Sequence, residues 1–286
     1  MHPDVFVGQT ACWWLERYNG NEPFFLQIGL PGPHPPYDPT QEYLDLYKDA
    51  NLPKAIREDY ASQPAPLQAL RQNHLDNDND AVVHLEDASD EQLHNQRAHY
   101  YANVTMIDAQ VGHVVDALEK RGVLDNTIII FTTDHGDCLN DHGHSQKWNM
   151  YESSVHIPAV VWAPNKIKAG TKIDQLVSLM DFGPTILEYA SVDVPEWMEA
   201  LSLASLLDGK SEERKRVFAE HSNDAILTET DFMTMVREDK WKLVHFVDCP
   251  EGQLFDLDSD PNEVNNLWDD PKHAEKRAQL ITAITN

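Results

Sequence analysis

The sequence predicts an α/β protein in which a mostly parallel sheet is flanked by helices and followed by a small C-terminal antiparallel α+β subdomain. Two apolar runs rich in β-branched residues, 127–133 and 157–164, are typical of strands buried on both faces. They alternate with helical patterns at 98–121 and 181–190, as in parallel sheets whose strands are joined by helices. Beyond about residue 210, short strands follow one another without long helices, which predicts the antiparallel part.

Length and composition favour one large domain with a smaller one attached. A chain of 286 residues is near the size at which a single core divides. We assign the α/β domain to residues 1–210 and the antiparallel subdomain, with a terminal helix, to 211–286. Within the larger domain, residues 49–95 are polar and rich in Asn, Asp and Gln, which predicts a surface excursion.

Individual signals support the elements of the larger domain. The run FFLQIGL at 24–30 predicts a buried strand that leads into a proline-rich loop. The helix at 98–121 has one predicted apolar face, and Gly122 follows it as a C-terminal cap would. The residues of that face are Val104, Ile107, Val111, Val114 and Leu118.

A second helix and the C-terminal elements have comparable signals. Asp181 is the predicted N-cap of the helix at 181–190, with Pro184 in its first turn. A terminal helix at 271–284 should pack on the antiparallel sheet through Ala274, Ala278, Leu280 and Ile281. The predicted strands of that sheet are 217–221, 232–238, 241–247 and 253–257.

Acidic side chains dominate the composition, with 48 Asp and Glu against 22 Lys and Arg and a net charge of -26. No basic stripe interrupts them, so neither nucleic acid nor a membrane is an expected partner. No apolar run reaches membrane-spanning length, and residues 1–20 lack a signal-peptide pattern. Cys12, Cys138 and Cys249 form neither a disulfide framework nor a CxxC zinc pattern.

Charged groups are concentrated in residues 131–152, FTTDHGDCLNDHGHSQKWNMYE, directly after the apolar run of the first predicted strand. Asp134 and His135 come at the carboxyl end of that strand, where α/β sheets place their active sites. Both side chains could face one cation, although Asp134 could equally cap a following helix and His135 lie on the surface. His142 and Lys147 follow within the same loop, and a lysine near a carboxylate-bound metal is suited to hold a tetrahedral oxyanion.

These residues give the sequence a resemblance to the sulfatases of the alkaline phosphatase superfamily. That family's pattern is a strand, D-[HN]-G, [ED]-H-G, a lysine, M-Y-E and then [RH]-[VI]-P. This chain has Asp134-His135-Gly136, Asp141-His142-Gly143, Lys147, Met150-Tyr151-Glu152 and His156-Ile157-Pro158. The segments PFFLQIGLPGPHPPYDP and SLMDFGPTILEYASVDVP also resemble family segments, and the resemblance spans nearly all residues except about 49–95.

The resemblance implies roles for five residues. Asp134 and His135 would ligate a divalent cation, calcium in most of the family, and such hard cations prefer oxygen-rich ligands. Lys147 would contact the sulfate oxygens, and His34 would contact the sulfate or assist the leaving alcohol. His142 is a further catalytic candidate, with bracing of the loop as its alternative role. His144 is expected to face solvent.

The family's nucleophile is a formylglycine made from the Cys or Ser of C/S-x-P/A-x-R, and no such pattern occurs in the chain. We therefore interpret residues 1–210 as an N-terminally incomplete catalytic domain. The missing segment, or another chain that supplies it, is a possible partner. The isolated chain is expected to have no appreciable turnover.

The leading functional hypothesis is the catalytic portion of a sulfuric ester hydrolase that acts on a sulfated small molecule or glycan. A phosphoesterase or phosphonate hydrolase of the same superfamily is the alternative enzyme, since both transfer tetrahedral anions at similar sites. A non-catalytic, anion-binding remnant of the fold is the alternative from another class. The resemblance makes a periplasmic or secreted location plausible, and the residues themselves indicate no compartment.

Overall fold

The computed structural model describes residues 1–20, 22–210, 214–222 and 225–285. Its residues cluster into two compact units, which we describe separately. The first comprises residues 1–55 and 74–129, and the second comprises 56–73 and 130–286. Among the described residues, no helix combines the length and the apolar character needed to cross a membrane.

Eight α-helices and six strands are formed by the described residues. The helices are α1 Pro3–Arg17, α2 Gln41–Leu44, α3 Ala65–Asp76, α4 Asp90–Lys120, α5 Glu152–Val155, α6 Phe182–Tyr189, α7 Ala204–Leu207 and α8 Ala274–Thr285. The strands are β1 Ile129–Thr132, β2 Ala159–Trp162, β3 Arg216–Ser222, β4 Phe232–Glu238, β5 Trp241–Phe246 and β6 Gly252–Asp256.

Helices α1 and α4 pack together in the first unit. The predicted helix at 98–121 is confirmed as α4, but it begins eight residues earlier, at Asp90, after a capping box formed by Ser89 and Gln92. Its buried face differs from the prediction, since Val104 is 41% exposed. Several small and polar side chains of α4 are buried in addition to Ile107 and Leu118. They are Ala98, Ala102, Asn103 and Gln110.

The N-terminal helix α1 was not predicted. Pro3 and Asp4 in its first turn are its clearest start signal. It buries Gly8 against α4, where an added Cβ would meet the Gln110 side chain at 2.7 Å. Leu15 completes the contact in a cluster with Leu118.

The strand predicted at 24–30 is wrong. These residues form no regular secondary structure, and no described strand pairs with them. Phe24 and Leu26 pack against the cluster around Leu15, whereas Phe25 is 71% exposed. The side chains are alternately partly buried and exposed because this segment packs on helices, and not because it is part of a sheet.

The strands predicted at 127–133 and 157–164 are present in shorter form, as β1 and β2, which pair with each other. Their predicted burial on both faces is wrong, because Phe131, Val160 and Trp162 are exposed. The described residues form this two-stranded pair and one four-stranded sheet, so they do not confirm a mostly parallel sheet.

The antiparallel sheet is confirmed, with strand order β3-β4-β5-β6 and every neighbouring pair antiparallel. It belongs to the same compact unit as residues 130–210, so the division at residue 210 stays a prediction. The terminal helix α8 packs on this sheet through fully buried Leu280, beside Val236, Leu243 and Leu254. Ile281 is partly buried there, but the predicted contacts of Ala274 and Ala278 are wrong, because both residues are exposed.

The helix predicted at 181–190 is confirmed as α6, with Asp181 as its N-cap residue. The Asp181 carboxylate does not cap this helix, however. It is 1% exposed and accepts two hydrogen bonds from the Arg214 guanidinium, at 2.5 and 2.8 Å. Such a bidentate pair satisfies a buried carboxylate that would otherwise be costly.

A second buried ionic cluster joins the C-terminal sheet to residue 152. Lys242, on β5, is fully buried, and its ammonium lies 3.0 Å from the Glu152 carboxylate and 2.5 Å from that of Glu263. Glu263 also accepts a hydrogen bond from the backbone N–H of Glu152 at 2.6 Å. Removing Lys242 would leave the two carboxylates together without their cation.

We expect Lys242→Ala to lower the free energy of unfolding by roughly 3–5 kcal/mol, because the Glu263 carboxylate would lose its buried cation. Urea titration followed by circular dichroism measures this difference. Lys168→Ala is the matched control, since Lys168 is exposed and should tolerate the change. Equal midpoints for Lys242→Ala and wild type would contradict the stabilising role of the cluster.

Candidate active site

The site begins where β1 ends. Gly136 follows Asp134 and His135, and its N–H donates to the carbonyl of Ser154 at 2.8 Å. A Cβ at residue 136 would lie 2.0 Å from the carbonyl oxygen of Ser153, which leaves no room for a side chain. Close approach of two backbone segments therefore requires this glycine, and it fixes the positions of the two residues before it.

Asp134, His135 and Lys147 come together at this point. The Lys147 ammonium lies 3.1 Å from His135 Nε2, and the same ring nitrogen lies 3.6 Å from Asp134 Oδ2. Because an ammonium can only donate, Nε2 accepts, and Nδ1–H then donates to the Gly136 carbonyl at 2.8 Å. The contacts thus define one tautomer of the neutral His135 ring.

The Asp134 carboxyl is poised to stay ionised. Partial burial raises its pKa, but the neighbouring His135 ring, backbone N–H groups and the Thr133 hydroxyl outweigh it and lower the pKa below its ordinary range. Its side chain is 80% exposed, so it can reach a ligand from solvent. A carboxylate, an imidazole and an ammonium are therefore accessible at one strand end.

The loop that follows is buried almost throughout. Every residue of 138–151 is buried except Lys147, which is partly exposed. The Lys147 ammonium also lies 5.5 Å from the centre of the Trp148 ring. The loop therefore presents a single cation to solvent beside His135.

The other two histidines of the loop lie inside the protein. His142 has a side chain 2% exposed, and its ring stacks on Tyr151 with centroids 3.7 Å apart and planes 1° from parallel. Its Nδ1 donates to Glu58 Oε1 at 3.1 Å. The expectation that His144 faces solvent is wrong, because His144 is fully buried and its Nε2 donates to Gln63 Oε1 at 3.1 Å.

Glu58 and Gln63 are the partners that sequence reasoning missed. Both lie in the predicted surface excursion at 49–95, which contains no recognisable motif. Leu67 and Leu70, three residues apart in the same excursion, are fully buried. That spacing was the one signal of a helix with a buried side.

His34 belongs to the first unit and is described within it. Its Nδ1 lies 2.9 Å from the Pro35 carbonyl, and its Nε2 lies 3.9 Å from Asp80 Oδ2. The side chain is 42% exposed. The imidazole is thus oriented by its own proline-rich loop and remains accessible.

No cysteine thiol of the loop is suited to act as a nucleophile. Cys138 is fully buried, and burial raises the pKa of its thiol to about 11, against hydrogen bonds from Ser154, Ser153 and Asn149. Because the thiolate is the reactive form, this sulfur is inert at neutral pH.

The described residues supply only part of a metal site. Asp134 offers a carboxylate and His135 an imidazole, but no group of three His, Cys, Asp or Glu side chains able to hold a metal forms among the described residues. Calcium takes six to eight oxygen ligands. These residues alone do not fit a calcium ion, so further ligands would be required.

Comparison with known proteins gives the family. The family model described as Sulfatase matches residues 9–192, and the one described as N-sulphoglucosamine sulphohydrolase, C-terminal, matches residues 140–286. An arylsulfatase of Clostridium perfringens is 31% identical over 285 residues, which cover 96% of this chain and 56% of that relative. The chain thus spans about half the length of the curated relatives it matches.

Solved structures agree on the fold. A phosphonate monoester hydrolase from Silicibacter pomeroyi has a TM-score of 0.88 and 25% identity, over 99% of this chain and 59% of that one. A structure described as a complex with its substrate D-glucosamine-2-N,6-O-disulfate has a TM-score of 0.82 and 24% identity, over 99% of this chain and 69% of that one. The fold and the sequence matches define a member of the alkaline phosphatase superfamily. Within it, this chain belongs to the sulfatase family.

The C-terminal end of the loop, at Glu152 and His156, is charged, and its contribution to stability depends on pH. Burial raises the pKa of the Glu152 carboxyl, but hydrogen bonds from His156 and Lys242 and the charge of Arg237 outweigh it and lower the pKa to about 2. The bond to Glu152 raises the pKa of His156, against its partial burial. Glu152 is therefore ionised in the folded protein at any pH near neutrality.

The sign of the resulting pH dependence follows from Glu152. A carboxyl whose pKa is 4.5 when unfolded and about 2 when folded stabilises the fold above pH 4.5, and this stabilisation is lost as the pH falls toward 2. We expect Glu152→Gln to reduce the loss of unfolding free energy over this interval, as measured by urea titration at several pH values. Glu196→Gln, at an exposed residue, is the control. Identical pH slopes in wild type and Glu152→Gln would contradict this assignment.

Proposed function

We propose that this chain is the catalytic portion of a sulfuric ester hydrolase, in which Lys147 binds the sulfate group beside Asp134 and His135. The observation that carries the proposal is the emergence of Lys147 alone from the buried stretch 138–151, with its ammonium 3.1 Å from His135. Placing a lysine on a buried, fixed loop reduces the entropy lost when it binds an anion.

The electrostatics of the chain favour a local role for this cation. A net charge of -26 repels anions at long range. A sulfate ester would therefore be held by short charge-assisted hydrogen bonds, which an ammonium makes to tetrahedral oxyanions. As negative charge develops on the sulfate oxygens during S–O cleavage, the same ammonium would stabilise it.

The remaining predicted residues have assigned roles in this proposal. His34, accessible and oriented by its loop, would contact the sulfate or donate a proton to the leaving alcohol. Asp134 and His135 would supply two of the ligands of a divalent cation, with calcium as the expected ion. His142, stacked and bonded inside the protein, would hold the loop and act on substrate only through Lys147.

Further polypeptide would be needed for turnover. No Cys or Ser of the 286 residues lies in the family's formylglycine pattern, and Cys138 is inert. The exposed apolar residues Phe131, Val160 and Trp162 on the β1–β2 pair support the same inference. We infer that β1 and β2 belong to a larger, mostly parallel sheet, and that polypeptide outside these residues covers it and carries the nucleophile.

We propose a sulfated sugar as the substrate, and two comparisons support this class. One similar fold is described in complex with a disulfated glucosamine, and a relative 33% identical over 187 residues is an N-acetylglucosamine-6-O-sulfatase. The phosphonate monoester hydrolase likeness, at a TM-score of 0.88, supports a phosphonate or phosphate ester as the second candidate. Both candidates place a tetrahedral anion on Lys147.

Inorganic sulfate tests the anion site without requiring turnover. We expect the chain to bind sulfate, with NMR shifts confined to residues around His135, and Lys147→Gln to weaken binding by about tenfold or more because a charge-assisted hydrogen bond is lost. Lys168→Gln, at an exposed lysine, is the matched control. Titration with inorganic phosphate and methylphosphonate under the same conditions ranks the second candidate. Sulfate binding that is unchanged in Lys147→Gln would refute the assigned site.

Hydrolysis of an aryl sulfate tests whether the isolated chain turns over. We expect no release of 4-nitrophenol from 4-nitrophenyl sulfate above the buffer rate, with or without added calcium, because the residues present lack the nucleophile. Absorbance at alkaline pH measures the product. Robust hydrolysis that disappears in Asp134→Ala would contradict the requirement for further polypeptide.

A further inference from the structure

The loop that carries Lys147 contains several residues in the unfavourable left-handed backbone conformation. Between residues 138 and 149 the non-glycine residues with positive φ are Leu139, Asn140, His142, Gln146 and Trp148. The left-handed region is unfavourable for a residue that carries a Cβ. Such a conformation persists only where surrounding contacts determine it.

Residues 56–63 provide such contacts, and we call this segment the clamp. The backbone N–H of Ile56 donates to Asp141 Oδ1 at 2.8 Å, and the N–H of His142 donates back to the Ile56 carbonyl at 2.9 Å. At the other end of the clamp, Gln63 Nε2 donates to the His142 carbonyl at 2.9 Å, and Gln63 Oε1 accepts from His144. Both sides of the strained His142 peptide are therefore bonded to the clamp.

Glu58 is the centre of this arrangement. One oxygen, Oε1, accepts from His142 Nδ1 at 3.1 Å, from the Tyr151 hydroxyl at 3.1 Å and from Gln63 Nε2 at 2.6 Å. The Glu58 side chain is 9% exposed. Three donors on one buried oxygen suit a carboxylate better than any neutral acceptor. Gln253 extends the network by donating to the Tyr151 hydroxyl at 2.9 Å.

Shape complementarity adds to the hydrogen bonds. Gly143 has φ of +71°, and a Cβ there would meet the Tyr60 ring at 2.8 Å and the Arg71 guanidinium at 2.9 Å. The Arg71 guanidinium lies over the Tyr60 ring at 4.5 Å. The clamp thus packs directly on the loop at Gly143, the last residue of the D-H-G triplet at 141–143.

We propose that the clamp positions Lys147, with Glu58 as its principal positioning residue. Glu58 makes no contact with Lys147 itself and acts through His142 and Tyr151, which hold the loop on both sides of the lysine. This inference deepens the proposed function and rests on it only for the identity of the anion. A segment with no motif of its own would therefore set the affinity of the site.

Hydrogen exchange measured by mass spectrometry tests the clamp without any ligand. We expect Glu58→Ala to speed exchange of the amides in 138–149 by about tenfold or more, because buried donors lose their acceptor. Glu58→Gln keeps one acceptor oxygen and should produce a smaller increase. Amides of the sheet residues 232–246 should be unchanged in both variants. Glu196→Gln is the exposed control.

Sulfate titration of the same variants separates positioning from general stability. We expect Glu58→Ala to weaken sulfate binding by about tenfold while the melting transition stays cooperative. Unchanged loop exchange, or an equal increase in the loop and in 232–246, would overturn the clamp. A loosened loop with wild-type sulfate affinity would overturn the positioning role. A loosened loop in a chain that binds no sulfate even as wild type would support the clamp and overturn the proposed anion site.

Discussion

The loop between β1 and α5 depends on contacts outside itself, and this constraint organises the second unit. Its left-handed residues oppose the local backbone preference, so bonds within the loop are supplemented by contacts to other segments. On one side the Glu58 carboxylate gathers His142, Tyr151 and Gln63. On the other, the backbone N–H of Glu152 is bonded to Glu263. Lys147 lies between these two fixed ends.

The second of these ends explains what the C-terminal sheet contributes to the site. Lys242 is fully buried on β5, where it meets the carboxylates of Glu152 and Glu263. Burying an ammonium costs several kcal/mol unless close carboxylates compensate. The cluster therefore constrains the position of residue 152, because a small shift of that residue would leave a charge unpaired. The antiparallel sheet is thus a rigid support for the loop rather than a separate module.

Local signals made much of the fold predictable, and long-range contacts account for the rest. The strands β3 to β6 and helices α4, α6 and α8 were predicted because alternation and helical spacing are local properties. The strand at 24–30 was not formed, because a strand also needs a neighbour that its sequence does not encode. At the site, Asp134, His135 and Lys147 could be predicted to lie together because they are close in the sequence. Glu58 could not be predicted as a partner of His142, because the two residues are 84 positions apart and Glu58 lies in no motif.

The residues that match the family motif fall into two groups in the structure, one accessible to solvent and one buried. Of the charged and aromatic groups in 134–152, Asp134, His135 and Lys147 are accessible at one place, whereas His142, His144 and Tyr151 are buried and bonded to other parts of the second unit. A buried ring stacked at 3.7 Å on another ring contributes packing and a directed N–H, and it cannot reach a solvent-borne ester without breaking both. The D-H-G and M-Y-E triplets at 141–143 and 150–152 therefore specify the shape of a loop, and under the proposed function the chemistry would fall to the few side chains that this shape leaves exposed.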